Sequence, residues 1–269
     1  MMNMNMTETV KQLLIINIIF FVGSYIVGQS AMDILALHSP QSDKFQFWQL
    51  ITHMFMHGGI MHIFFNMFAL FSFGSLLENM WGAKKFLFFY FSCGLGAAAL
   101  HLGVNYFEMQ SMLHKVSYLE LSNDQIHQIL NISVYDSQRF VSTVSEIVKS
   151  TGKLGLLDQG GMQGLYDAAV SNQIPMLGAS GAIYGIMVAF AFMFPNAELM
   201  MMFVPIPVKA KYFVPGLVII DLILGVKGQS IFGGGGSGIA HFAHIGGALI
   251  GFIMMWYWKK NSFNNNRWN

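Results

Sequence analysis

The sequence predicts an all-α membrane protein: a bundle of six transmembrane helices with a small extracytoplasmic insert. Three observations carry this. Charged residues make up 10% of the 269 positions and hydrophobic residues 54%, whereas soluble domains are roughly a quarter charged. Five long windows contain no Asp, Glu, Lys or Arg: Gln12 to Met32, Phe45 to Leu77, Phe86 to Phe107, Ala168 to Ala197 and Gly228 to Trp258. The Lys and Arg residues of the short loops gather on one side of such a bundle. So little charge cannot cover a soluble globule, which excludes a cytosolic enzyme and a disordered chain. A net charge of +1 gives no general attraction to phosphate, so no nucleic-acid partner is expected. Cys93, the single cysteine, cannot form an internal disulfide or a multi-cysteine zinc site.

Residues 1–10 are a cytoplasmic tail, and 11–258 form the membrane domain. About 20 apolar residues are needed to cross the hydrocarbon core, which places spans near 11–30, 60–78, 86–106, 179–195, 211–226 and 240–258. The first lacks the strongly basic start of a cleaved signal peptide and is read as retained. Phe45 to Gly59 reads as a loop at the membrane interface, where Trp48 is at home and Gly58-Gly59 breaks the helix. Residues 107–172 form the insert between the third and fourth spans; from Glu108 to Asp167 it holds 11 of the 27 charged residues. Ser122 with Gln125 has the spacing of a capping box, and Val141, Val144 and Val148 recur at helical spacing. Gly152 to Gly164, with five glycines, reads as a mobile connection. Residues 259–269 are a second tail. Lys11, Lys84, Lys85, Lys209, Lys211, Lys259, Lys260 and Arg267 share one side, against Lys44 and Lys227 on the other. Both termini are therefore expected in the cytoplasm, and a bacterial inner membrane is the expected location.

Polar groups inside a bilayer are costly and invite a functional explanation. Ser180 sits among small residues, with Gly181 and Gly185 spaced for close helix packing; packing alone explains this segment, and a nucleophile competes with it. His241 and His244 share roughly one side of the last span, where Gly247 and Gly251 have the same spacing, so a histidine there could reach Ser180 and act as its base, with His244, next to those glycines, favoured; a histidine satisfied by a backbone carbonyl is the competing reading. His62 and Asn66 face the same way on the second span and can donate to a developing oxyanion. His53 and His57 share the i, i+4 spacing of metal ligands, but no acidic residue lies in that cluster and HExxH is absent. Glu78 suits helix-packing hydrogen bonds. Asp221 has no assigned role and is the main feature favouring a transporter, although no inverted repeat accompanies it.

In combination these segments resemble the rhomboid family of intramembrane serine proteases, from about Trp48 through the sixth span, apart from the insert. Gly178-Ala179-Ser180-Gly181 matches the family's GxSG, with Tyr184 four residues on. Ala243-His244-Ile245-Gly246-Gly247 matches AHxxG, and His62 through Asn66 matches HxxxN. One departure is Gln49, where the family often has arginine after Trp48. The resemblance implies a Ser180–His244 dyad without a carboxylate, the His244 ring stacked on Tyr184. The oxyanion would be met by the Ser180 backbone N–H and the side chains of His62 and Asn66. It implies no metal and no cofactor, and single-span or other membrane-protein substrates in the lipid bilayer. The loop Gly228 to Gly238 resembles a cap over the site. The alternative is a catalytically silent relative that binds membrane clients. Oligomeric state is not legible.

Overall fold

The computed structural model describes residues 5–201, 204–227 and 239–262. The expectations for the cap loop at 228–238 and for both extreme termini lie outside the described residues.

Helix α1 (Glu8–Val27) starts at a cap supplied by another helix. The Glu78 carboxylate accepts the backbone N–H groups of Thr9 at 3.1 Å and Val10 at 3.0 Å, together with the Thr7 hydroxyl. A carboxylate at a helix N-terminus meets unpaired N–H groups and the positive end of the helix dipole. Glu78 thus serves helix packing. Gly28, at φ +71°, turns the chain into α2 (Gln29–Leu35).

The following loop is organised by the buried side chain of Gln49, the first residue of the short α3 (Gln49–Thr52). Its Oε1 accepts from the backbone N–H groups of His38 and Gln46. Its Nε2 donates to the carbonyls of Lys44 (2.9 Å), Asp33 (3.1 Å) and Ile34 (3.3 Å). An amide can both donate and accept, so Gln49 satisfies backbone groups of both signs without burying a charge. The departure from arginine leaves a complete hydrogen-bonded loop.

Helices α4 (Ile60–Ala69) and α5 (Ser75–Trp81) are joined through a π-helical turn at Leu70–Gly74 into one 22-residue rod. Gly82, at φ +77°, ends it. Helix α6 (Ala83–Lys115) runs for 33 residues. At about 1.5 Å per residue it exceeds the roughly 30 Å hydrocarbon core by several turns, so the helix continues past 106 into the charged segment; no glycine or proline breaks it after Gly103.

Beyond it, α7 (Asn123–Asn131) carries the Ser122/Gln125 capping box. Helix α8 (Ser137–Ser150) is capped by Asp136 and buries Val144 and Val148. Helix α9 (Gln159–Gln173) overturns the expectation of a mobile connection at Gly152 to Gly164: three of its glycines are helical. Asp158 caps the helix by accepting from Gly161 N–H at 2.7 Å. A Cβ on Gly161 would lie 2.5 Å from the Tyr118 hydroxyl, so glycine here permits close approach rather than motion. These helices share a small core of their own, including Leu119, Ile129, Phe140, Val144, Val148 and Leu165.

Helix α10 (Ser180–Met193) leads to an antiparallel hairpin of β1 (Glu198–Met201) and β2 (Val204–Lys209), then α11 (Ala210–Lys227) and α12 (Ile239–Ser262). The hairpin was not anticipated. Among the described residues four helical segments are long and apolar enough to cross a membrane: Glu8–Val27, Ile60–Trp81, Ala83–Lys115 and Ala240–Lys260. Helix α10 is apolar but shorter, and the 18 residues of α11 include Lys211, Asp221 and Lys227. Large apolar side chains point outward, among them Ile19, Ile26, Phe252 and Trp256. Apolar surface of that extent is sheltered by lipid tails and not by water. The chain is a multi-pass, all-α membrane protein.

Candidate active site

Helices α6, α10 and α12 pack against one another at the centre of the bundle. Glycine makes the α10–α12 contact possible. A Cβ on Gly247 would overlap the Gly181 carbonyl, and one on Gly251 would lie 2.7 Å from the Gly185 Cα. On the third side, a Cβ on Gly246 would lie 2.7 Å from the Gly96 carbonyl oxygen of α6. Backbones this close bring short side chains on neighbouring helices into hydrogen-bonding range.

Ser180 and His244 meet at this crossing, with His244 Nε2 2.9 Å from Ser180 Oγ. The Tyr184 ring, one turn along α10 from Ser180, stacks on the imidazole with centroids 4.3 Å apart and planes 7° from parallel. On the far side of the imidazole, Nδ1 lies 3.2 Å from Asp221 Oδ1. The same oxygen contacts His241 Nδ1. A carboxylate accepts only, so the His244 proton is assigned to Nδ1, which leaves the Nε2 lone pair for the serine hydroxyl.

The approach to Ser180 is shaped by Gly178. Its φ of +122° suits glycine alone, and a Cβ there would lie 2.8 Å from His62 Nε2 and 3.5 Å from Ser180 Oγ. His62 Nδ1 accepts from the Gly58 N–H at 3.4 Å, so Nε2 carries the proton and is the donor on the Gly178 side. Asn66 follows one turn later on α4, buried, with Nδ2 making no hydrogen bond among the described residues. His62 is therefore a donor left open beside the serine loop, and Asn66, one turn on, carries a second unpartnered donor.

That loop is tied to the segment between α2 and α4 at two points. Leu37 and Met176 exchange backbone hydrogen bonds of 2.9 and 2.8 Å, and Gly178 N–H donates to the His53 carbonyl at 2.9 Å. His53 Nδ1–H donates to the Gln49 carbonyl at 2.7 Å. His53 and His57 lie in this segment, and burial pushes both imidazoles down to about 4. His53 holds backbone and His57 packs edge-on against His62 at 5.0 Å. Among the described residues, the only group of three side chains with metal-ligand spacing is Asp221, His241 and His244, whose ligand atoms lie within 4.8 Å of one another. Sequence reasoning placed no role on Asp221 or Gln49 and passed over His241 in favour of His244. Asp221 did signal itself, as an acid in an apolar stretch.

A family model described as the Rhomboid domain matches residues 44–113 and 146–261. The chain belongs to the rhomboid family. Its matched blocks contain His62, Asn66, Gly178, Ser180, Tyr184, Asp221, His241 and His244, and residues 114–145 fall between them. Among the curated rhomboid relatives is an uncharacterized mitochondrial rhomboid protein of Schizosaccharomyces pombe. It is 26% identical over 226 residues, covering 81% of this chain and 53% of that protein. Rhomboid protease GluP of Bacillus subtilis is 40% identical over 50 residues, 19% of this chain and 10% of that protein. Rhomboid-like protease 3 of Toxoplasma gondii is 36% identical over 56 residues, 21% of each chain. This rhomboid thus spans about half the length of the yeast relative and far less of the two named proteases.

Proposed function

We propose that this rhomboid is an intramembrane serine protease in which Ser180 is the nucleophile and His244 its general base. The 2.9 Å contact between His244 Nε2 and Ser180 Oγ carries the reading. As Oγ attacks the scissile carbonyl, its proton passes to Nε2 and the carbonyl π pair moves to oxygen. The Ser180 backbone N–H and the side chains of His62 and Asn66 receive that oxyanion. The imidazolium then gives its proton to the leaving amine as the C–N bond breaks. Water, activated by the same imidazole, releases the acyl group. Tyr184 keeps the ring plane fixed throughout by stacking.

The substrate class is a membrane protein, single-span or otherwise, cut in a segment that can unwind, since peptide bonds within a helix are shielded. No metal or cofactor enters the reaction. Topologically, we assign six spans: the four long helices plus α10 and α11. The insert at 107–172 then lies outside a bacterial inner membrane, with tails 1–10 and 259–269 in the cytoplasm. The basic residues at the loop ends support this orientation, and the separate core of α7 to α9 supports the insert.

The test is labelling with a serine-reactive phosphonate in detergent, with a chelator arm. Wild type is expected to form one adduct, on Ser180, unaffected by chelator and lost in Ser180→Ala; His244→Ala should slow it at least 100-fold. A folded wild type that neither labels nor cleaves a single-span substrate would favour the silent client-binding alternative.

A further inference from the structure

We propose that Asp221 is a positioning residue for His244, so that the site works as a carboxylate–imidazole–hydroxyl line; this rests on the protease reading above. The imidazole is engaged at both nitrogens: Nε2 faces Ser180 Oγ at 2.9 Å and Nδ1 faces Asp221 Oδ1 at 3.2 Å. Stacking on Tyr184 fixes the plane of the ring but leaves it free to rotate within that plane. A hydrogen bond at Nδ1 removes that freedom and aims Nε2 at the serine.

Asp221 is 4% exposed, and between Tyr212 and Val226 it is the only charged residue of α11. A carboxylate in such surroundings is retained only when donors compensate it. Its ion-pair partners among the described residues are two imidazoles, His241 and His244. His241 contacts the same Oδ1 and thereby fixes the carboxylate for its neighbour. During attack the serine proton moves to Nε2, the Nδ1 proton stays in place, and the Asp221 charge faces the imidazolium that forms. The three side chains also have the donor set of a cation site. Contacts of hydrogen-bond length between Oδ1 and both Nδ1 atoms favour protons over a shared ion.

The test compares wild type, Asp221→Asn, Ser180→Ala and His244→Ala, purified in detergent, by cleavage of a single-span substrate. Asp221→Asn keeps size and shape and removes the charge. The expected result is a kcat lower by roughly 10²–10⁴-fold, with KM within about threefold and Ser180 labelling slowed in step. A far-downfield imidazole N–H proton resonance in wild type provides a readout that needs no Asp221 variant. It should persist in Ser180→Ala; in His244→Ala the His244 resonance should vanish while that of His241, which contacts the same oxygen, remains. A folded Asp221→Asn with kcat within threefold of an active wild type would overturn the proposal and leave the protease reading standing. So would wild-type activity lost in chelator and restored by zinc, or a wild type lacking the downfield signal. A wild type that neither cleaves nor labels would overturn both.

Discussion

The backbone N–H of Gly178 donates to the carbonyl of His53 at 2.9 Å. Through this bond the loop that presents Ser180 is held by the loop that precedes α4. The chain from Gln49 to His53 to Gly178 links a buried amide hub to the nucleophile without any of its members touching the reacting atoms.

Gly178→Ala should therefore disable the site while sparing the bundle. The φ of +122° would strain an alanine, and its Cβ would crowd His62 Nε2 at 2.8 Å. Displacing one oxyanion donor typically costs on the order of 10²–10³ in kcat. Steady-state cleavage with a parallel unfolding midpoint checks this. Unchanged kcat would show that the Gly178–His62 contact has no part in turnover.

Gln49→Ala should destabilise the protein by about 3 kcal/mol, because backbone groups it now satisfies would be left buried and unpaired. Gln49→Glu keeps the acceptor but sets a carboxylate oxygen against the carbonyls of Asp33, Ile34 and Lys44, so it should give no rescue over alanine. Unfolding midpoints in one detergent give both numbers.

Gly247→Ala should separate α10 from α12. Its Cβ would overlap the Gly181 carbonyl, and backbone on both sides leaves little room to shift. Overpacking costs about 1–3 kcal/mol or more, and the Ser180–His244 contact depends on the same crossing. The expected outcome is a lowered unfolding temperature with near-complete loss of phosphonate labelling. Normal labelling would mean that the crossing tolerates a methyl group.

Acid should loosen the interface loop before it reaches the rest of the fold. Burial lowers His53 and His57 in the folded protein to about 4, against an ordinary value of 6.5. Between those values the unfolded chain binds more protons, so stability rises with pH there. The contribution is full above about 6.5 and is lost progressively as pH falls towards 4, up to about 3 kcal/mol per histidine. Hydrogen exchange of residues 49–58 should accelerate across this window. Exchange free energies that stay flat from pH 7 to 4.5 would contradict it.

Much of the site was legible because its parts are local. GxSG, HxxxN and AHxxG are short strings, and the glycines of the first and last explain themselves once helices are packed together. Glu78 was legible in kind, as a helix-packing acid, but not as the cap of α1, which lies 68 to 71 residues away. Asp221 could be flagged as costly but not paired: it is 23 residues from His244, and their register is set by packing of α11 against α12. The glycines of α9 misled because only tertiary structure reveals the Tyr118 hydroxyl above Gly161. The hairpin after α10 went unseen because its strands are short and hold two prolines, Pro205 and Pro207, that disfavour helix without specifying a partner.

The most direct test of the central claim is product mass from a single-span substrate co-reconstituted in liposomes with wild type or Ser180→Ala. The account predicts that wild type yields fragments cut in the substrate's membrane segment or at its boundary and that Ser180→Ala yields none. Cleavage that survives Ser180→Ala, or cuts confined to the substrate's soluble parts, would contradict it.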